Sequence, residues 1–237
     1  MLTVFGFVSV GIVQFKKVEL MKHILITGTS RGIGKTLMEE SLKSGHKVCG
    51  IARSPDFSEV KKYGENLTLI QGDVNDPELG KKIISTLSWN HIDVLINNAG
   101  IFLDDSWSDF EKTFLTNSIA PYFLTLNLLP LLRKCSDPKA VFITSQMGSI
   151  KDNQSGGSVS YRASKAALNM MIKSLSYDEK WLNSLLFHPG WVKTSMGGEN
   201  APLETSESAK GLLSLIHASE KTHSGTFRTY SGQTLPW

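Results

Sequence analysis

At 237 residues the chain suits one α/β domain with a sizeable core, and its 41% hydrophobic and 20% charged residues exclude extended disorder. The formal charge of +3 is scattered in short pairs such as Lys16-Lys17, Lys61-Lys62 and Lys81-Lys82, without the clustering that a nucleic-acid-binding face requires. Neither Cys49 nor Cys135 sits in a CxxC pair and the six histidines show no HExxH-like spacing, so reduced thiols, a cytoplasmic setting and no bound metal are expected.

Residues 1–20 carry an apolar run that stops at Lys16, short for a bilayer span and without a basic leader or a small-residue cleavage site. They read as an upstream extension of uncertain role, with export or membrane anchoring as the alternative. Residues 21–237 read as a single domain. Short Val/Ile/Leu-rich runs alternate there with segments of helical period, the pattern of repeated βα units around a buried parallel sheet. Strands are predicted near 23–27, 47–52, 67–71, 93–96, 139–144, 183–188 and 226–229. Helices are predicted over 32–44, 76–88, 108–134, 159–180 and 205–219, the third kinked or broken by Pro121 or Pro130. The expected fold is a Rossmann-type, doubly wound parallel sheet of about seven strands with helices on both faces.

The first strand, HILIT, runs straight into GTSRGIG at 28–34 and then into an amphipathic segment. Glycines between a strand and a helix let backbone approach a pyrophosphate, and the helix start supplies unpaired N–H groups. Gly28, Ser30, Arg31, Gly32, Ile33 and Gly34 are therefore candidate cofactor contacts, although the spacing departs from GxGxxG. Where the second strand ends, Ala52 and Arg53 stand in place of the carboxylate that would bind a ribose 2′-hydroxyl. Arg53 and Arg31 suit a 2′-phosphate, which favours NADP(H) over NAD(H). The alternative is that both arginines are solvated. Asp73 and Val74 follow the third strand, and Asn97, Ala99 and Gly100 follow the fourth, at the sheet edge where such folds bind ligands; a turn-forming role is the alternative for each motif.

In SYRASKAALNMM, Tyr161 and Lys165 are four residues apart on a predicted helix and share one face, a spacing that also arises by chance. In order along the chain, TGTSRGIG, NNAG, Asn117 in LTNSIAP, Ser145 in VFITSQMG, YRASK and HPGWVKT resemble the short-chain dehydrogenase/reductase family, over residues 22–237. The GGENAPLETSES stretch and the ending SGTFRTYSGQTLPW are similar to the C-factor/sniffer-like carbonyl reductase subgroup.

The resemblance implies Asn117, Ser145, Tyr161 and Lys165 as the catalytic set. Tyr161 exchanges a proton with the substrate oxygen, Lys165 lowers the phenol pKa and binds the nicotinamide ribose, Ser145 holds the substrate carbonyl, and Asn117 kinks its helix and holds a relay water. It also implies that Pro189, Gly190, Val192 and Thr194 close over the nicotinamide, with Trp191, Met147, Met196 and Phe102 as candidate pocket residues. The expected activity is NADPH-dependent reduction of an aldehyde or ketone, with a small carbonyl or alcohol as partner, no membrane or nucleic acid, and a possible homodimer through the helices of Asn117 and Tyr161. Two alternatives remain open: a dinucleotide-binding signalling protein with incidental turnover, and an NAD-dependent alcohol dehydrogenase.

Overall fold

The computed structural model describes residues 21–237, so the extension expected at 1–20 lies outside the described residues. Seven strands form one parallel sheet: β1 (His23–Thr27), β2 (Lys47–Ala52), β3 (Leu67–Gln71), β4 (Val94–Asn97), β5 (Lys139–Ile143), β6 (Asn183–His188) and β7 (Phe227–Thr229). Their order is β3-β2-β1-β4-β5-β6-β7. The order reverses between β1, which pairs with β2 on one side (Leu25 opposite Cys49), and β4 on the other (Leu25 opposite Leu95). Such a switch point opens a crevice at the strands' C-terminal ends.

Both faces of the sheet are buried, which is why its strands read as continuous apolar runs rather than alternating ones. On one face Leu25, Leu95, Phe142 and Leu186 pack against α3 (Leu79–Thr86), α5 (Ala120–Leu132) and α6 (Val159–Asp178). On the other, Ile24, Ile96, Val141 and Phe187 pack against α1 (Gly32–Lys43) and α7 (Thr205–Ala218). Each such side chain stabilises the fold by about 1.5–3 kcal/mol relative to exposure. The two faces together therefore fix the strand ends from which the crevice is built.

The strands match the sequence expectation to within a residue at each end; the helices depart from it in three places. The segment expected as one helix over 108–134 is α4 (Trp107–Phe114), a five-residue π-turn (Leu115–Ile119) and α5. Pro121 is the second residue of α5, directly after the π-turn, where the helical hydrogen-bond pattern changes. Pro130 sits in the last turn and breaks nothing. The helix expected from 76 begins at Leu79, because Asp76 uses its carbonyl and its carboxylate to form a turn with Leu79 and Glu78. The short helix α2 (Ser58–Tyr63) has too few apolar residues to announce itself. By length and composition Trp107–Leu132 is apolar enough to cross a membrane, with mean hydropathy 1.2, but 56% of that window is buried inside the fold.

Candidate active site

The crevice is organised first by backbone. The β1–α1 turn passes through Gly28 at φ 75°, and a Cβ on Gly34 would lie 2.2 Å from the Gly28 carbonyl oxygen, so a side chain there would force the helix off the turn. Asn98 locks the same turn to the end of β4. Its Nδ2 donates to the carbonyls of Thr27 (2.9 Å) and Gly28 (3.3 Å), while the Thr27 hydroxyl accepts the N–H groups of Asn98 and Ala99, both at 3.1 Å. Arg31, the residue before α1, makes no side-chain cap, which leaves the first N–H groups of the helix facing the crevice.

The crevice encloses a cavity of about 1020 Å³. Gly28, Ser30, Arg31, Gly32, Ile33 and Gly34 line it, together with Arg53, Asp73, Val74, Ala99 and Gly100. Tyr161, Lys165, Pro189 and Thr194 line it as well, Thr194 beside Gly32, on which a Cβ would lie 3.2 Å from Thr194 Cγ2. Arg31 and Arg53 are exposed and form no ion pair among the described residues, so both guanidinium groups are available to an anion. Asp73 caps its own loop, accepting the N–H of Asn75 at 3.0 Å.

The start of α6 carries Tyr161 and Lys165 and is held from a distance. Asp105 accepts the N–H groups of Val159 (3.0 Å) and Ser160 (2.8 Å), and these bonds keep its carboxyl below the usual range. Burial raises the Tyr161 phenol above its ordinary pKa, and a hydrogen bond with the Ser145 hydroxyl acts the other way. Lys165 donates from Nζ to the Ile143 carbonyl at 3.0 Å, with Nζ 5.7 Å from the centre of the Tyr161 ring. Burial lowers its ammonium to about 8. The resemblance assigns the lowering of the phenol to Lys165 together with the nicotinamide; burial acts in the opposite direction.

Asn117, for which the resemblance implies a helix kink, lies within the π-turn. Its carboxamide is taken up by Ile101 and by the Ser164 hydroxyl, to which Nδ2 donates at 3.1 Å. A Cβ on Gly100 would sit 3.2 Å from Asn117 Oδ1 and 3.6 Å from Lys165 Nζ, so the loop passes close to both groups. Asn117 thus stands directly behind the cavity-lining Gly100 and Ile101, and Ser145 is not among the lining residues.

Some expected residues are placed elsewhere. Asn97, expected at the cofactor, turns the other way: it is buried and donates to the Thr125 hydroxyl of α5 at 3.1 Å, and Asn98 takes its place at the cavity. Val192 is buried and bridges to Leu203, while a Cβ on Gly190 would meet Leu203 and Tyr230; both brace the loop after β6 rather than line the cavity. Phe102 and Met196 do line it, Phe102 with its ring centre 4.8 Å from that of Tyr161. Trp191 instead donates to the Gly197 carbonyl, and Met147 lies outside the lining. Asn75 and Thr116, joined at 3.0 Å, line the cavity without having been signalled by any motif.

A parallel doubly wound sheet, a glycine turn at its switch point and a tyrosine–lysine pair across the crevice define a dinucleotide-dependent oxidoreductase as the class of protein. The sequence pattern described as short chain dehydrogenase matches residues 22–204, and the chain belongs to that family. It is 41% identical over 154 residues to C-signal of Myxococcus xanthus, covering 62% of this chain and 93% of that protein. Among solved structures it is similar to the NADPH-bound carbonyl reductase from chicken fatty liver (TM-score 0.85, 29% identity, 92% and 99% of the two chains). It is also similar to the carbonyl reductase Sniffer of D. melanogaster (TM-score 0.84, 29% identity, 92% and 100%).

Proposed function

We propose that the protein is an NADPH-dependent carbonyl reductase in which Tyr161 donates the proton. The observation that carries this reading is the meeting, around a single cavity, of the buried Tyr161 phenol and the Lys165 ammonium, with the Ser145 hydroxyl beside the phenol and two arginines that form no ion pair among the described residues lining the same cavity. The residues present fit an NADP(H) molecule. The turn of Gly28 and Gly34 packs directly against Asn98 and Ala99 and brings the start of α1 to the cavity, Arg31 and Arg53 suit a 2′-phosphate, and the end of β2 offers no carboxylate to repel it. The NADPH-bound state of the chicken relative supports the same cofactor.

When bound, the nicotinamide supplies a hydride to the carbonyl carbon. Ser145 would donate a hydrogen bond to the carbonyl oxygen and hold it beside Tyr161, whose proton passes to that oxygen as it becomes an alcohol. The phenol, whose pKa burial raises above its ordinary value, is protonated at neutral pH and so holds the proton that reduction requires. Lys165 would then stabilise the phenolate left behind. Phe102 and Met196 give the substrate end an apolar wall suited to bulky aldehydes or ketones.

The test is NADPH oxidation against aromatic, quinone and aliphatic carbonyls with Tyr161→Phe in parallel. Loss of about 10²–10⁴-fold in turnover supports the reading. Undiminished turnover in the variant overturns it, and tight NADPH binding without turnover transfers the weight to a signalling role, which the likeness to C-signal favours. We further infer a homodimer through the apolar stripe Leu115, Ile119 and Phe123, which is exposed on the π-turn and α5. Sedimentation as a monomer at micromolar concentration would overturn that inference.

A further inference from the structure

At the edge of the sheet opposite the crevice, the starts of β1 and β4 bring His23, His91 and Asp93 together. His91 Nε2 lies 3.3 Å from His23 Nδ1 and 3.3 Å from Asp93 Oδ2, and His23 Nδ1 lies 3.7 Å from the same oxygen. Ligands bound tetrahedrally at about 2.0–2.1 Å are separated by about 3.3–3.4 Å. The triangle of donor atoms therefore already has nearly the edge lengths of one face of a zinc coordination tetrahedron.

We propose that His23, His91 and Asp93 bind one zinc ion, with the fourth position left to water.

The surroundings prepare these atoms for the task. His91 Nδ1 sits 2.6 Å from the Asn90 side-chain oxygen, an acceptor only, so the ring proton is on Nδ1 and the Nε2 lone pair faces the site. The Cys135 thiol donates to the other Asp93 oxygen, Oδ1, at 3.2 Å, and the His23 backbone N–H donates to Oδ2 at 2.7 Å, so the carboxylate is fixed in orientation. The Trp89 ring lies against His23, with centres 4.8 Å apart. Burial and the neighbouring His91 hold His23 below its ordinary pKa, which keeps the imidazole neutral and able to ligate. Binding at His23 Nδ1 requires only that its ring proton occupy Nε2. All three side chains are partly exposed, at 17%, 28% and 19%, which leaves an entry path. No linear motif announces the site, because His23 and Asp93 are 70 positions apart and meet through the β1–β4 pairing.

The site is independent of the reductase chemistry and is tested separately. Zinc chloride is titrated calorimetrically into the full chain and into His91→Gln, whose side chain lies in the loop before β4, with circular dichroism confirming that the variant is folded. The expected result is one ion per chain, an affinity reduced about tenfold or more in the variant, a tetrahedral Co(II) absorption band present only with His91 intact, and unchanged kcat/KM in the metal-free variant. Asp93→Asn, which keeps an acceptor for the His23 N–H, provides a second loss of affinity. No uptake by the wild type at millimolar zinc, or equal affinity in wild type and His91→Gln, overturns the proposal. Affinity lost in His217→Gln but kept in His91→Gln would assign the ion to the neighbouring His46–His217 ring pair and overturn it as well.

Discussion

The Asn117 carboxamide bonds both backbone polar groups of Ile101, accepting from its N–H and donating to its carbonyl, each at 2.9 Å. A side chain standing in for a strand partner in this way fixes the loop that carries Gly100, Ile101 and Phe102 along the cavity wall. Asn117→Ala would leave two partly buried backbone groups unpaired, at a cost of about 1–3 kcal/mol. The expected outcome in urea unfolding is a loss of that order, accompanied by a fall in kcat/KM because the loop no longer aligns the pocket with Tyr161. A variant as stable and as active as the wild type would show that Ile101 is held by other means.

Arg31 and Arg53 face the same cavity without ion-pair partners among the described residues. A charge-assisted bond from either to a 2′-phosphate contributes about 1.5–3 kcal/mol, so Arg53→Ala is expected to weaken NADPH binding by about 10–100-fold while barely altering NADH. Fluorescence titration with both nucleotides measures the ratio. Wild-type protein that binds NADH at least as tightly as NADPH would defeat the charge argument outright.

The Lys165 ammonium, lowered to about 8 by burial, loses its charge at the upper edge of the physiological range. Its proton is present below that pH and lost above it, so kcat/KM for reduction is expected to be flat below about pH 8 and to fall above it, toward tenfold per unit. Lys165→Arg keeps the charge at all accessible pH values and should remove the falling limb, at a lower plateau because the guanidinium cannot reproduce the bond to the Ile143 carbonyl. A falling limb that persists in Lys165→Arg would assign the titration to another group.

The sheet and the polar constellation were legible because period and punctuation encode them locally. A Val/Ile/Leu run closed by Gly28 marks β1 and its turn, and four-residue spacing puts Tyr161 and Lys165 on one face. What escaped depends on parity or on distance. Asn97 and Asn98 are adjacent, and which of them reaches the cavity is decided by where β4 ends and which face its last side chain takes; the strand delivers Asn97 to Thr125 and releases Asn98 to the turn. The π-turn before Pro121 adds a residue to one helical turn, a change invisible to a search at helical period. Asp105 caps α6 from 54 residues away, and His23 meets Asp93 across 70, so both contacts exist only once the chain is folded.

His188 closes β6 just before the Pro189–Gly190 turn, and its Nδ1 is buried with no hydrogen-bond partner among the described residues. Burial pulls its pKa down from 6.5 to about 4, so the folded protein holds the imidazole neutral while the unfolded chain protonates it. Between those two values the unfolded state binds the extra proton. Stability therefore falls as pH drops from about 6.5 to about 4 and levels off below, with a contribution of about 3 kcal/mol from this residue. His188→Gln has nothing to titrate in that window. Urea unfolding free energies of the two proteins should therefore diverge progressively on acidification, the wild type losing more. Curves that stay parallel from neutrality to about pH 4 would mean that His188 is charged in the fold, and that the end of β6 is open to water on the side where the cavity lies.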